Sequence, residues 1–155
     1  MRLEKKIAQI LIHQKQTLAT AESCTGGLLA HTLTNVPGSS AFYLLGVVAY
    51  NNAAKTGILK IPASLIKAQG AVSAEVAKRM ALGARKILNT DYGIGITGIA
   101  GPSGGTKAKP AGLTYIAASN LHKTIVQRFH FKGTRLRNKK QAVAAALRIL
   151  GQMLV

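Results

Sequence analysis

The pattern of hydrophobic and polar positions switches along the chain between the period of a helix and that of a strand. Apolar residues recur at helical spacing over residues 3–14, over 74–88 and in a last stretch that begins near Thr134-Arg135, which predicts three amphipathic helices. The positions predicted to face inward are Leu3, Ile7, Ile10 and Leu11, then Val76, Met80, Ala84 and Ile87, and finally Val143, Ala146, Leu147 and Leu150. Ser73 directly precedes the middle helix and is expected to cap it.

Short apolar runs between these helices predict the strands. Residues 17–21, 41–49 and 92–97 are typical of buried strands, and residues 113–119 and 123–131 alternate around Asn120 as an antiparallel hairpin does. Shorter helices are predicted over about 26–35, after Asn51-Asn52, and between Pro62 and Gly70. Helices that alternate with strands, followed by one hairpin, predict a single α/β domain over residues 1–155, a three-layer α/β/α sandwich on a mixed sheet.

Composition agrees with one well-buried domain. The chain has 155 residues, of which 48% are hydrophobic, and this is enough to build a core. The N-terminal sequence interleaves charged and apolar residues, so we expect neither a signal peptide nor a membrane span. The single cysteine, Cys24, excludes an internal disulfide framework and favours a reducing, cytoplasmic location.

The net charge changes the range of partners to be considered. Lys and Arg number 21 against four acidic residues, which gives a formal charge of +17 and favours anionic partners: nucleic acid, a membrane surface or phosphorylated metabolites. The basic residues do not form one long block, however, and aromatic residues make up only 5% of the chain. We therefore expect nucleic acid to be attracted only non-specifically, and no membrane partner.

Candidate chemistry is concentrated where predicted strands end in polar residues and glycine. Three such segments, residues 23–27, 50–55 and 97–105, can converge at one edge of the sheet. Backbone N–H groups in the first, at the start of a helix, can bind a phosphate or stabilise an oxyanion.

A serine in these loops needs a base, and none of the four histidines follows a strand there. A lysine can serve if burial leaves it neutral, which makes Lys55 the candidate base for Ser23, with Tyr50 relaying a proton or orienting the amine. Judged on spacing alone, a capping serine and a solvated lysine account for these residues better.

Other chemical templates fit less well. Residues 93–98 match the letters G-x-G-x-x-G, but the first glycines lie within a predicted strand and no long helix follows, which argues against dinucleotide binding. No Gly-Lys-Ser/Thr triplet follows Gly98 or Gly101, and no cluster of metal-ligating residues is present, so neither a cofactor nor a metal is predicted. Cys24 is a rival nucleophile, although a small buried thiol is the more common role for such a residue.

Seven ordered motifs resemble one known family. They are Ala21-Glu22-Ser23-Cys24-Thr25-Gly26-Gly27, Pro37-Gly38-Ser39-Ser40, residues 46–55 (GVVAYNNAAK), Gly70-Ala71-Val72-Ser73, Thr97-Gly98-Ile99-Ala100-Gly101-Pro102 with Gly104-Gly105, Lys109-Pro110-Ala111-Gly112, and Gly133-Thr134-Arg135. Together they span almost the whole chain and are similar to the CinA C-terminal domain family, the nicotinamide-nucleotide amidases.

The resemblance implies a stand-alone, cofactor-free deamidase of nicotinamide mononucleotide, a dimer or larger, acting in pyridine-nucleotide salvage. It implies that Ser23 is the nucleophile, Lys55 its base and Tyr50 an orienting or relaying group, with Ser40 as the alternative nucleophile. The substrate-binding residues that it implies are Thr25, Gly26, Thr97, Gly98, Gly101 and Arg135, the last of which suits a phosphate.

The chain departs from the family pattern at three positions. Ser103 and Thr134 stand where the family usually has acids, and Ala49 stands where it has a polar residue before the tyrosine. We interpret these changes as part of the general loss of acids. Two other functions stay open at this point: a basic accessory protein associated with nucleic acid, and an inactive scaffold.

Overall fold

A computed structural model describes all of residues 1–155 and contains six α-helices and five strands. In chain order they are α1 (Leu3–Gln14), β1 (Leu18–Glu22), α2 (Leu28–Thr34), β2 (Tyr43–Val48), α3 (Asn52–Gly57), α4 (Ala63–Gln69), α5 (Ala74–Leu88), β3 (Tyr92–Gly98), β4 (Leu113–Ser119), β5 (Thr124–His130) and α6 (Arg135–Met153). A single 3-10 turn, Ser39–Ala41, precedes β2. None of the helices combines the length and the apolar character that crossing a membrane requires.

The five strands form one mixed sheet in the order β2-β1-β3-β4-β5. Strand β1 pairs in parallel with both β2 and β3, whereas β3–β4 and β4–β5 are antiparallel. The carboxyl ends of the three parallel strands therefore lie side by side at one edge. The loops that leave this edge are the ones expected to carry function.

Helices cover both faces of the sheet. Helices α1, α2 and α6 bury one face around Leu18, Ile94, Ile96 and Ile116, and α4 and α5 cover the other face. The α5 side is lined by small strand residues, so the helix comes very close to the sheet: a Cβ on Gly93 would overlap the Ala81 carbonyl. The glycines of the G-x-G pattern are thus explained by helix–sheet packing.

The predicted three-layer α/β/α sandwich on a mixed sheet is confirmed, with two local corrections. Residues 41–49 were expected to form a buried strand, but β2 lies at the sheet edge, where only β1 pairs with it, and its residues alternate between half-buried and exposed. Ile87 was expected to face inward but is exposed, because it lies beside Ile58 and Leu59 in an open surface groove and not among the buried residues of the helix.

Candidate active site

Ser23, Tyr50 and Gly98 all lie at the carboxyl edge of the parallel strands. Ser23 follows β1, Tyr50 follows β2, and Gly98 ends β3. The backbone N–H of Ser23 donates to the Ile96 carbonyl at 3.0 Å, which ties the start of its loop to β3. The sheet therefore brings the three predicted segments together, as the sequence predicted.

The centre of this edge is a buried contact between a lysine and a serine. Lys55 Nζ donates hydrogen bonds to Ser23 Oγ at 2.9 Å and to the Ala49 carbonyl at 2.9 Å. Only 2% of Lys55 is exposed. Burial lowers the pKa of Lys55 below its ordinary value, because a charged amine loses hydration there. The contact thus joins a hydroxyl to an amine whose neutral form is favoured by burial.

Local chain geometry explains how Lys55 reaches Ser23. The Asn51 side chain caps α3 by accepting a hydrogen bond from the Ala54 N–H at 3.0 Å, which fixes the start of the helix directly after β2. Lys55 lies in the last turn of this short helix, and its amine reaches back to the ends of β1 and β2, where it contacts Ser23 and Ala49. The Ala49 carbonyl then orients the amine. Ala49 departs from the family pattern, but this contact is unaffected because a backbone carbonyl is available whatever side chain occupies the position.

The loop that carries Ser23 is held by a buried carboxylate. Glu22, 1% exposed, accepts hydrogen bonds from the N–H groups of Leu29 at 2.8 Å and Ala30 at 3.0 Å, so it caps the first turn of α2. Those two N–H groups are therefore not available to a substrate. The backbone N–H groups of Cys24, Thr25 and Gly27 donate to no protein acceptor, and Cys24 is the one of these three residues that lies at the cleft beside Ser23.

Cys24 shares the site but has the properties of a packing residue. Burial raises the pKa of the Cys24 thiol to about 11, and the nearby Glu22 carboxylate adds to this effect. The thiol is therefore protonated at neutral pH and is a poor nucleophile. This favours the packing role over the rival nucleophile.

Arg135 closes the other side of the site. Its guanidinium donates to the Gly101 carbonyl at 2.9 Å and to the Tyr50 hydroxyl at 2.9 Å. Asn138 fixes the start of α6 on the same loop by donating to the Ala100 carbonyl at 3.0 Å. Arg135 has no carboxylate partner, so its charge is available to an anion.

An open cleft of about 240 Å³ lies between these groups. The residues that line it are Ser23, Cys24, Tyr50, Gly98, Ile99, Ala100, Gly101, Ser103 and Arg135. The cleft thus brings together the Ser23 hydroxyl, which contacts the buried Lys55 amine, and an uncompensated Arg135 guanidinium, an arrangement that can accept a small anionic molecule.

Several predicted substrate-binding residues lie outside the cleft lining. Thr97 is buried, and its hydroxyl donates to the Ala71 carbonyl at 2.7 Å, on the α5 side of the sheet. The Thr25 hydroxyl is buried without a partner. Gly26 has a left-handed backbone at φ +61° and lies beside the Lys139 amine. These residues shape the loops around the cleft, whereas Gly98 and Gly101 border it directly.

Ser40 and Tyr50 also differ from their predicted positions. Ser40 is exposed in the turn that precedes β2, at the amino end of the sheet, about 16 Å or more from Ser23 along the strands. Ser40 and Lys55 of the same chain therefore lie at opposite ends of the strands and are not in contact. Tyr50 borders the cleft but hydrogen-bonds only Arg135, so the Ala49 carbonyl orients the amine instead.

Sequence reasoning missed three groups: the Ala49 carbonyl, the Glu22 carboxylate and the Asn138 side chain. A backbone carbonyl leaves no signature in a sequence. Glu22 did leave a signature in the sequence, because an acid a few residues before a helix is well placed to cap that helix. Glu22 is also one of only four acids in the chain.

Fold and site together define the class of the protein: a three-layer α/β domain with a serine–lysine pair in a cleft at the carboxyl edge of a mixed sheet. Residues 1–154 match the model of the CinA C-terminal domain, and the chain belongs to that family.

Relatives and solved structures agree with this assignment. A putative competence-damage inducible protein of Moorella thermoacetica is 49% identical over 98% of this chain, and a CinA-like protein of Desulfotalea psychrophila is 47% identical over 96%. The chain spans 37% and 36% of the lengths of these two proteins. The crystal structure of a CinA superfamily protein from Klebsiella pneumoniae matches with a TM-score of 0.94 at 36% identity, covering 98% of this chain and 95% of that one.

Proposed function

We propose that this domain is a serine/lysine amidohydrolase that converts nicotinamide mononucleotide and water to nicotinic acid mononucleotide and ammonia, in cytoplasmic pyridine-nucleotide salvage. The observation that carries the proposal is the 2.9 Å contact between a buried Lys55 amine and Ser23 Oγ. A buried lysine without a carboxylate partner serves no obvious structural purpose, whereas a neutral amine beside a hydroxyl is what serine nucleophiles require.

In the first half of the reaction, Ser23 Oγ attacks the carboxamide carbon while its proton passes to Lys55 Nζ. The tetrahedral oxyanion forms near the backbone N–H of Cys24, which has no protein acceptor and belongs to a residue that lines the cleft. Lys55 then returns the proton to the amide nitrogen, the C–N bond breaks, and ammonia leaves an acyl ester on Ser23. The Ala49 carbonyl keeps the amine in place throughout.

In the second half, water attacks the acyl ester. Lys55 Nζ takes a proton from the water and returns it to Ser23 Oγ as the ester C–O bond breaks, which releases the carboxylic acid and restores both side chains; the acid then gives its remaining proton to solvent and becomes the carboxylate. Side chains and water supply every group that these steps use. We therefore propose that the reaction needs no cofactor.

The proposed substrate follows from the two ends of the cleft. The carboxamide occupies the end at Ser23, and the 5′-phosphate binds Arg135, whose charge no acid neutralises. The overall charge of +17 further favours an anionic nucleotide over its neutral nucleoside.

Ammonia release from nicotinamide mononucleotide tests the proposal. The wild-type protein should release ammonia, and Ser23→Ala should lower kcat by about 10³-fold or more, since the reaction then has no nucleophile. Cys24→Ala is the matched control, because it removes a side chain of similar size at the adjacent position, and it should retain most activity. A folded wild-type protein without turnover, or a Ser23→Ala variant as active as Cys24→Ala, would contradict the proposal.

An accessory protein for nucleic acid is the second candidate, and the charge of +17 is the observation that favours it. The name of one relative, a putative competence-damage inducible protein, points the same way. We nevertheless infer only non-specific attraction, because this function leaves the buried Ser23–Lys55 contact unexplained. An inactive scaffold is the remaining alternative. A scaffold has no activity to lose, so the substitution Ser23→Ala would change nothing measurable in it, and this separates it from the amidohydrolase.

A further inference from the structure

Lys139 is a second positively charged residue on the helix that carries Arg135. The two residues are four positions apart in α6, so they lie one turn from each other on the same face. Arg135 borders the cleft, whereas Lys139 lies beside the loop of residues 23–27 (the Ser23 loop). Helix α6 therefore presents one charge to the cleft and another to the loop that holds the proposed nucleophile.

Gly26 lets the Lys139 amine come close to the Ser23 loop. A Cβ at position 26 would lie 3.6 Å from Lys139 Nζ, so a larger side chain there would displace the amine. The backbone of Gly26 is also in the left-handed region, at φ +61°, which favours glycine. Both properties keep side chains out of the space between the Ser23 loop and α6.

The Lys139 amine has no partner within the protein. It forms no ion pair and takes part in no side-chain hydrogen bond, although the residue is half-buried. Lys140, the next residue, is exposed, as surface lysines usually are. Confining a lysine side chain costs conformational entropy, so a half-buried amine without a protein partner points to an interaction with charge that the folded chain does not itself supply.

The charge of Lys139 reaches residue 24. Burial raises the pKa of the Cys24 thiol to about 11, and the positive charge of Lys139 acts in the opposite direction. A positive charge that favours a thiolate at this position also favours other negative charge beside it. The backbone N–H of Cys24, which donates to no protein acceptor, is the donor near which the oxyanion of the proposed reaction forms.

We propose that Lys139 stabilises the tetrahedral oxyanion of the amidase reaction through its charge, across the Ser23 loop. This inference rests on the proposed function. The carboxamide oxygen is uncharged in the bound substrate and becomes negative when Ser23 Oγ bonds to the carbon, so a fixed positive charge nearby stabilises the transition state more than the substrate complex. Arg135, by contrast, binds a phosphate whose charge is the same in both states. The two cations of α6 therefore have separable effects on the kinetics.

Steady-state kinetics with nicotinamide mononucleotide test this separation. Lys139→Met should lower kcat by about 10-fold or more and change KM by less than about 3-fold, because the charge acts mainly in the transition state. Lys139→Arg should retain most of the turnover, since it keeps the charge. Lys140→Met removes the adjacent exposed charge and is the matched control, which should behave as the wild type does. An unchanged kcat in Lys139→Met, or a rise in KM in its place, would overturn the proposal.

Chemical denaturation separates this role from a structural one. The alternative is that Lys139 balances the buried Glu22 carboxylate, which raises the pKa of the nearby Cys24 thiol. Both oxygens of that carboxylate already accept backbone N–H groups, so Lys139→Met and Lys140→Met should unfold at equal denaturant concentrations. A loss of stability in Lys139→Met with kcat unchanged would assign the amine to balancing Glu22 and would refute the oxyanion role.

A titration of Cys24 tests the charge without reference to activity. Cys24 is the only cysteine of the chain, so ¹³C labelling of cysteine gives one Cβ signal that follows its thiol. Arginine stays charged at the alkaline pH where this thiol titrates, whereas methionine has no charge, so the thiol of Lys139→Arg should titrate at a lower pH than that of Lys139→Met. Equal midpoints would show that no charge from position 139 reaches the loop and would overturn the proposal. The expected difference in a folded protein without turnover would count against the proposed function and not against the effect of Lys139 on the loop.

Discussion

Lys55 is the residue on which the proposed chemistry depends, because its surroundings favour the neutral form of its amine. Its polar contacts are a hydroxyl and a carbonyl, and neither compensates an ammonium ion as a carboxylate would. Burial therefore lowers the pKa of Lys55. The neutral, basic form appears as the pH rises through this lowered pKa. Activity should therefore rise with pH, and the midpoint of that rise should lie below the ordinary lysine pKa of 10.5.

At the same scale, Arg135 should determine the preference for a phosphorylated substrate. Arg135→Met should raise KM for nicotinamide mononucleotide by roughly 10- to 100-fold, the loss expected for charge-assisted hydrogen bonds, and should leave turnover of the nucleoside nearly unchanged. Steady-state kinetics with the two substrates measure the difference. Arg137→Met is the control, because the Arg137 side chain makes no hydrogen bond. Equal losses for nucleotide and nucleoside would exclude a phosphate-binding role.

At the scale of elements, the β1–α2 connection positions Ser23, the proposed nucleophile. Glu22 ends the strand and caps the next helix through Leu29 and Ala30, so the intervening loop is held at both ends and Ser23 has little freedom. Preorganisation of this kind is what a site needs to keep a nucleophile within reach of its base.

Glu22→Gln should therefore destabilise the fold by about 1–3 kcal/mol, because two buried N–H groups then meet a neutral and less suitable acceptor. Chemical denaturation gives the value. Glu75→Gln is the matched control: Glu75 lies in the first turn of α5 and pairs only with the exposed Arg79 at 3.3 Å, so its loss should change stability by less than about 0.5 kcal/mol. Equal effects of the two substitutions would show that the cap contributes nothing.

Helix starts could be predicted because their signals are local, whereas the pairing of Ser23 with Lys55 was implied only by the family resemblance, since spacing alone favoured a capping serine and a solvated lysine. Asn51, Ser73 and Thr134 each cap the helix that follows them, as residue type and position suggest. The edge position of β2 could not be predicted, since strand order depends on contacts between distant segments. For the same reason, the sequence did not reveal that Ser40 lies at the far end of the strand from the cleft.

At the scale of the whole molecule, the excess of positive charge is spread over the surface except at the β2 edge. Glu22 and Asp91 are engaged in hydrogen bonds to the chain, and one ion pair, Glu75–Arg79, is formed. Nearly every basic side chain is therefore uncompensated. Such a surface attracts polyanions of any kind.

Binding to duplex DNA should consequently fall steeply with salt and show no sequence preference. Fluorescence anisotropy with two unrelated duplexes between 50 and 200 mM salt should give equal affinities that drop together by about 10³-fold or more. A fixed site size or a preferred sequence would instead support the nucleic-acid function. Turnover of nicotinamide mononucleotide over the same range should change far less, because one small substrate makes few ionic contacts.

The measurement closest to the central claim is the pKa of Lys55 itself, followed by ¹⁵N NMR of the lysine side-chain nitrogens and assigned by the signal that Lys55→Met removes. We expect the Lys55 amine to titrate below its ordinary value of 10.5, because of its burial. An amine that titrates at or above that value, together with the exposed lysines, would be charged beside Ser23 at neutral pH and would contradict the proposed mechanism.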